Sequence, residues 1–363
     1  MTESTNHSGD DSFPPALGDT STQASPRRGL VVLEGRTTEA RNTTPIDLLR
    51  ASMRSISIEA GRVIIGQQDT PQPLTFCLLS GGHALLEGLP GVGKSLIARS
   101  MAEISGLTFR HVRMTPDLEA DRLVRELCVP ADGGRECLYE PCFANLVLAD
   151  DIEQLPPRAR AVLLQAMEER TATMEGRVWT LPSPFVVIAT RNLPPLHGPH
   201  PLTERERDSF LMQLTIAYPS SRDLARIVGR TTGSGSTPAR QVTDVVSVRR
   251  MTDLVREVPI ARHVTDYAVR LVLATHAKDP SAPPLVRQYV VAGASPRGAQ
   301  ALVLAAKAAA LMDGRYNVAF DDLRYLLIPT LRHRLTVRSA ASEAGVDPDM
   351  ILQQVLRAID EEP

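Results

Sequence analysis

The chain has 363 residues, 43% of them hydrophobic and 23% charged, with a formal net charge of −2. That is enough chain for two domains with substantial cores, and the composition is that of a soluble globular protein. The near-neutral balance argues against an electrostatic nucleic-acid surface; no apolar run is long enough for a membrane span, and the N-terminal stretch lacks the charged-then-apolar layout of a signal peptide, so a cytoplasmic location is expected.

Residues 1–43 are rich in Ser, Thr, Asp, Gly and Pro, with Leu30 to Leu33 as an apolar island. Such a segment buries too little surface to fold and is predicted to be a disordered tail. From Asp47 to Ala60 the apolar residues Leu48, Leu49, Met53, Ile56 and Ile58 recur at helical spacing. A turn at Gly66-Gln67 precedes a second apolar helix ending at Gly81-Gly82. Short apolar runs then alternate with helix-like segments: His83 to Leu86, Phe109 to Val112, Leu146 to Ala149, Phe185 to Ala189 and Leu211 to Ile216 read as strands, and Arg158 to Arg170 as a helix between two of them. This alternation predicts an α/β fold, a parallel sheet with helices on both faces. The linker-like run Gly233 to Pro238 follows, and beyond it strand signals nearly vanish. Val245 to Val258, Val264 to His276, Pro296 to Met312 and Asp321 to Arg334 have helical periodicity and predict an all-α second domain. Because Ser221 to Arg230 already reads as a helix, the boundary falls near Tyr218-Pro219, giving 1–43 tail, 44–217 α/β domain, 218–338 helical lid and 339–363 C-terminal helical segment. Cys77, Cys128, Cys137 and Cys142 form no C-x-x-C pair and suit neither a zinc site nor a disulfide framework, so free thiols, mostly buried, are expected.

The chemistry begins at Gly88-Leu89-Pro90-Gly91-Val92-Gly93-Lys94-Ser95, a full G-x-x-x-x-G-K-[ST] phosphate-binding loop between a strand and a helix. The glycines let several N–H groups converge on one anion, and the helix that follows adds its positive end. Lys94 is placed to neutralise β and γ phosphates and Ser95 to ligate Mg²⁺. Further along, the strand Leu146 to Ala149 ends in Asp150-Asp151, where one carboxylate can hold the metal and the next can position the attacking water. Asp150 is assigned to the metal and Asp151 to the water. Strand Phe185 to Ala189 runs into Thr190-Arg191-Asn192, where Asn192 is the candidate for touching the γ phosphate.

In that order the motifs resemble the MoxR family of AAA+ ATPases, over roughly Ile64 to Leu335. The matching segments are Ile65-Gly66-Gln67, Leu85 to Gly88 into the phosphate loop, Thr115 to Leu118, Phe143-Ala144-Asn145 with Leu146 to Asp150, Ala166 to Arg170, Gly293-Ala294-Ser295-Pro296-Arg297, and Leu331 to Leu335. The resemblance implies a ring-forming ATPase, usually a hexamer, with Mg-ATP at the subunit interface. It also implies a chaperone-like role toward client proteins, commonly ones with a von Willebrand factor A-type domain, with no specific nucleic acid and no membrane insertion. Carried over by motif, Gly66 and Gln67 join the cofactor-binding set, Asn192 looks like sensor 1, and Arg297 looks like sensor 2, reaching from the lid to the phosphates.

Two departures from the family pattern bear on the rate. Where the family usually has Asp-Glu, this chain has Asp150-Asp151, a base shorter by one methylene; a displacement of order 1 Å can cost about a hundredfold when positioning is the mechanism. Where the family has Leu-Asp-Arg-Phe, with a trans-acting arginine finger, this chain has Arg207-Asp208-Ser209-Phe210. A finger contributes on the order of 10³ to 10⁵ in rate. Thr203-Glu204-Arg205-Glu206 carries a capping-box pattern, so a helix starts there. At about 100° per residue, Arg207 is turned roughly 160° from Ser209 and Arg205 only about 40°, which makes Arg205 the substitute catalytic cation. The segment between Thr115 and Phe143 is loosely matched and looks like an insertion near the ring pore, while Gly176 to Trp179 keeps a hairpin-like stretch. The expected activity is ATP hydrolysis; the alternative is a weakly or non-hydrolysing ATP-binding scaffold, possibly in a mixed ring.

Overall fold

A computed structural model of the chain describes residues 45–360 apart from 68, 121–122, 124–125, 132–133, 140–142, 175–176, 194–197 and 233–237. The expected N-terminal tail, its island at Leu30 to Leu33 and most of the linker at 233–238 lie outside the described residues. Helices α1 (Pro45–Val63) and α2 (Pro71–Leu79) precede β1 (Ala84–Gly88), the phosphate loop and α3 (Lys94–Ser105). Then come β2 (Phe109–Arg113), β3 (Glu126–Ala131), β4 (Gly134–Tyr139), β5 (Leu146–Asp150), α4 (Pro157–Glu169), β6 (Thr171–Met174), β7 (Arg177–Thr180), β8 (Val186–Asn192), α5 (Glu204–Asp208), β9 (Met212–Ile216) and α6 (Ser221–Thr231).

Five strands form one sheet in the order β2-β5-β8-β1-β9, every pair parallel. The five strands read from apolar runs are these five. Because side chains alternate along a strand, each strand feeds two cores. Leu86, Leu148 and Ile188 face a large cluster shared with α1, α2 and α3, whereas Leu85, Val147 and Val187 face a second cluster built with Leu163 and Met167 of α4. That is why the strands read as continuous apolar runs rather than as an alternation. The sheet is sewn at its base by His83, a buried side chain that accepts from Val187 N through Nδ1 (2.9 Å) and therefore donates from Nε2 to Met167 O (3.1 Å). Burial, with Arg170 nearby, pushes its pKa down to about 3.

Strands β3 and β4 pair as an antiparallel hairpin in the loosely matched segment, with Cys128 opposite Cys137 in the backbone register. Strands β6 and β7 form the hairpin expected around Gly176 to Trp179. Of the cysteines, Cys77 is free and buried, its thiol pushed up to about 12 by burial; Cys142 lies outside the described residues.

Helices dominate from residue 245 onward: α7 (Val245–Glu257), α8 (Arg262–Leu273), α9 (Pro284–Tyr289), α10 (Pro296–Asp313), α11 (Phe320–Leu331), α12 (Ser339–Glu343) and α13 (Pro348–Ala358). Caps explain several boundaries. Asp244 accepts from Ser247 N to start α7, and Gly314, at φ 93°, closes α10 in the left-handed region where a side chain is strained. One feature has no signal in the sequence: β10 (Val290–Ala292) and β11 (Thr336–Val337) pair antiparallel among these helices. They are too short to show a period. No described helix is long and apolar enough to cross a membrane.

Candidate functional site

The loop from Gly88 to Gly93 crosses from the end of β1 to the start of α3. Two of its glycines are required by geometry. A Cβ on Gly88 would sit 2.7 Å from Ile216 O on β9, and Gly93, at φ 99°, lies in the left-handed region. The turn leaves Leu89, Pro90 and Gly91 exposed at its crest and aims the unpaired first-turn N–H groups of α3 at the loop.

Lys94 is buried, and its Nζ donates to Gly88 O (2.7 Å), Leu89 O (3.0 Å) and Asn192 Oδ1 (3.1 Å). Burial lowers its pKa, opposed by the Asp151, Asp150 and Glu87 carboxylates. Asn192 uses its other end on Asp151, donating from Nδ2 to Oδ1 at 3.0 Å. Since ammonium only donates and carboxylate only accepts, the amide orientation is fixed. Asp151 itself sits at φ 59°, a left-handed conformation in a residue with a side chain, held because its N–H donates to Thr190 Oγ1 at 2.9 Å.

Asp150 is the most heavily bonded carboxylate here. It accepts from Ser95 Oγ (3.2 Å), Thr190 Oγ1 (2.6 Å) and His111 Nε2 (2.9 Å). Burial alone would raise its pKa; the hydrogen bonds from Thr190, His111 and Ser95 outweigh that and hold it lowered, so the group is an anion. Among the described residues no group of three or more His, Cys, Asp or Glu could hold a metal ion by itself. The hard oxygens of Ser95 and Asp150, side by side, suit a divalent cation that keeps phosphate and water as its other ligands.

Beside the loop opens a cavity of about 530 Å³, lined by Ile65, Gln67, Val92, Tyr218, Pro219 and Ile227 among others. It is apolar, open at one side, and of a size for a nucleotide base and sugar. Gln67 is buried and donates to Ala217 O (2.6 Å), tying the segment before α2 to the end of β9. Gly66, at φ 78°, lies where a Cβ would press on Asp223 and Pro219, so the chain passes tightly against the start of α6. Helix α6 buries none of its residues and lays Leu224 and Ile227 along the cavity.

Arg297 and Arg205 are not in this cluster. The Arg297 guanidinium donates to Glu168 Oε1 at 2.7 Å, and the Ser209 hydroxyl donates to the same oxygen at 3.2 Å. Arg297, expected to reach from the lid to the phosphates, stands here with Ser209 at the C-terminal end of α4. Thr203 forms the expected capping box with Glu206, and α5 follows. Arg205 is exposed; its carbonyl accepts from Ser209 Oγ at 3.5 Å, and its guanidinium has no hydrogen bond or ion pair among the described residues. Arg207 points elsewhere and is half-buried, its Nε without a partner, its pKa lowered by burial and by Arg191. The segment is stapled to the helical part of the chain: Asp208 accepts from Arg334 Nε (2.8 Å) and Ser295 Oγ (2.9 Å), and Phe210 O accepts from His333 Nε2 (3.0 Å).

A parallel sheet in this order, a phosphate loop with a paired Ser–Asp, and a helical lid define an AAA+ ATPase. Residues 83–212 match the profile of the ATPase family associated with various cellular activities (AAA), and 283–355 match the AAA lid domain. The chain is 34% identical over 305 residues to Chaperone MoxR1 of Mycobacterium tuberculosis (83% of this chain, 80% of that one) and 33% identical over 312 residues to the uncharacterized protein YeaC of Bacillus subtilis (82% and 91%). It is 28% identical over 306 residues to the protein MoxR of Paracoccus denitrificans (80% and 90%). A crystal structure of a putative ATPase from Cytophaga hutchinsonii superposes with a TM-score of 0.80 at 27% identity, covering 87% of this chain and 96% of that one. The chain belongs to the MoxR family of AAA+ ATPases.

Sequence reasoning missed His111 and Thr190, which hold Asp150, and the Glu87–Arg191–Gln213 group behind the loop, where Glu87 accepts from Arg191 NH2 (2.8 Å) and Gln213 Nε2 (2.6 Å). The one available signal was positional: Glu87 and Arg191 each stand one residue before the end of their strands and are level in the parallel sheet, whereas Gln213 lies near the start of β9, opposite Leu85, and gave no such signal.

Proposed function

We propose that this chain binds Mg-ATP between the α/β domain (44–217) and the helical lid (218–338), hydrolyses it, and couples the cycle to chaperone-like remodelling of a client protein. The observation that carries the reading is the joined network Lys94–Asn192–Asp151–Thr190–Asp150–Ser95, which puts the phosphate, metal and water-positioning groups in one hydrogen-bonded set. In this reading the loop from Gly88 to Ser95 cradles the phosphates, Lys94 carries the charge, Asp151 orients the water and Asn192 senses the γ phosphate. Mg²⁺, held by Ser95 and Asp150, would supply charge neutralisation at the phosphate oxygens.

Arg297 beside Ser209, bridged by Glu168, favours a ring in which this surface meets the nucleotide of the neighbouring subunit. Arg205, exposed one turn from Ser209, then supplies the cation in trans. The ring, a hexamer by resemblance, and a client with a von Willebrand factor A-type domain rest on the family; the name of the M. tuberculosis relative supports the chaperone-like role.

ATP binding and steady-state turnover of the purified chain, alone and mixed with a second ring ATPase of the same cell, test this. Turnover by the chain alone supports a self-sufficient enzyme, and turnover only in the mixture supports a mixed ring with a borrowed arginine. Binding without turnover in either setting overturns hydrolysis and leaves the scaffold reading, which Ser209 in place of arginine favours.

A further inference from the structure

A second cavity, of about 280 Å³, lies away from the phosphate loop, under the N-terminal ends of β1 and β8. Gly81, Thr180 and the run Leu181 to Phe185 form its floor, and Arg249, Thr252, Asp253 and Arg256 of α7 form its wall. These four α7 residues fall at i, i+3, i+4 and i+7, which is one helical face. Arg170 closes the cavity from the end of α4. Three guanidinium groups thus meet a single carboxylate.

The charges are not neutralised elsewhere. Arg170 is half-buried, donates to the carbonyls of Gly81 and Phe185, and lies over the Phe185 ring with its Cζ 5.8 Å from the centroid. Carbonyls satisfy its N–H groups but carry no net charge, and among the described residues it has no carboxylate partner. Burial lowers its pKa, and the nearby positive charge of Arg256 lowers it further. Arg249, although four residues before Asp253, makes no ion pair with it, and Arg256 pairs with none of the described carboxylates. Arg249, Asp253 and Arg256 are exposed at the cavity mouth, and Arg170 is the partly buried cation whose lack of a counter-charge a bound anion would offset.

We propose that this cavity binds a diphosphate group, free or carried by a small molecule. Guanidinium forks match phosphoryl oxygens two at a time, the excess of positive charge calls for a multiply charged anion, and the volume admits two phosphoryl groups but not a whole nucleotide. A nucleotide-borne diphosphate would leave its base outside.

The test is calorimetric titration of inorganic diphosphate into the full chain saturated with ADP, in magnesium-free buffer, so that the phosphate loop is filled. Saturable binding is expected, at least tenfold weaker in Arg249→Gln/Arg256→Gln, with ADP affinity at the loop unchanged. Asp253→Asn removes the one opposing carboxylate and is expected to tighten diphosphate severalfold, a gain that a misfolded variant cannot mimic. A second equivalent of ADP that is lost in the double variant assigns the nucleotide-borne form; diphosphate binding without it assigns the free form. Absence of both diphosphate binding and a second equivalent of ADP, or binding of either that is unchanged in the double variant, overturns the proposal.

Discussion

Thr190 joins the metal-side and water-side aspartates, and replacing it by Val removes the joint while keeping the shape. The residue is fully buried; its hydroxyl donates to Asp150 at 2.6 Å and accepts from the Asp151 N–H at 2.9 Å. Loss of a hydrogen bond to a charged group costs about 1.5–3 kcal/mol, and an amide left unpaired in the interior about 1–3 kcal/mol. Because the two effects share one group they do not simply add, and about 3 kcal/mol is the expected loss. Thr190→Ser keeps the hydroxyl and deletes one buried methyl, worth about 0.8 kcal/mol. At roughly 2–4 °C per kcal/mol, Thr190→Val should melt about 6–12 °C below the parent and Thr190→Ser only a few degrees below. Removing the strongest donor to Asp150 should also raise its pKa, so that Mg²⁺-dependent nucleotide affinity in Thr190→Val begins to fall at a higher pH than in the parent. Thermal melts and nucleotide titrations across pH read both effects. Equal losses in the Val and Ser variants would refute the hydrogen-bond account and leave only packing.

Three further outcomes are expected. His83 has a folded pKa of about 3 against 6.5 unfolded, so its contribution is complete above pH 6.5 and is lost as pH falls toward 3. Between pH 6.5 and 5 this amounts to roughly 2 kcal/mol. The denaturation midpoint of His83→Gln should therefore fall less steeply with acid than the parent's, and parallel slopes would refute the assignment; His333, buried and also lowered, keeps part of the slope in both proteins. Gly88→Ala forces a Cβ to 2.7 Å from Ile216 O, so the β1–β9 edge must shift, and nucleotide binding should be lost while the sheet's circular dichroism persists. Retained affinity would show the edge to be pliable. Arg205→Ala and Arg297→Ala should each lower ATP turnover by about tenfold or more, up to the roughly 10³ to 10⁵ of a full trans-acting arginine, without changing ADP affinity. Unchanged turnover in either variant removes that residue from the reaction.

The loop, the five strands and the long helices were legible because each is encoded locally: a glycine pattern, short apolar runs, a 3.6-residue period. Lys94, Ser95, Asp150, Asp151 and Asn192 followed from position at strand and loop ends, and the structure brings these five together. Other parts depend on contacts distant in sequence. His111 reaches Asp150 only because β2 lies beside β5, and Tyr218, read as a domain boundary, lines the cavity beside Gly91 to Gly93 because β9 lies beside β1. The same holds for Arg297: its motif gives its identity, and the contacts of the start of α10 with α4 and α5 give its surroundings.

Helix α5 has five residues and buries none of them, so polar contacts fix its position: on one side Glu206 accepts from buried Arg160 of α4 at 2.7 Å. On the other side is the lid: buried Arg334 grips Asp208, Ser295 bonds the same carboxylate, and His333 holds Phe210 O. Arg205, Ser209 and Arg297 thus sit where α4, α5 and the lid meet, with Glu206 held by Arg160 and Glu168 holding both Ser209 and Arg297 from α4. A change at any of these contacts, in α4 or in the lid, is therefore felt by the same three side chains.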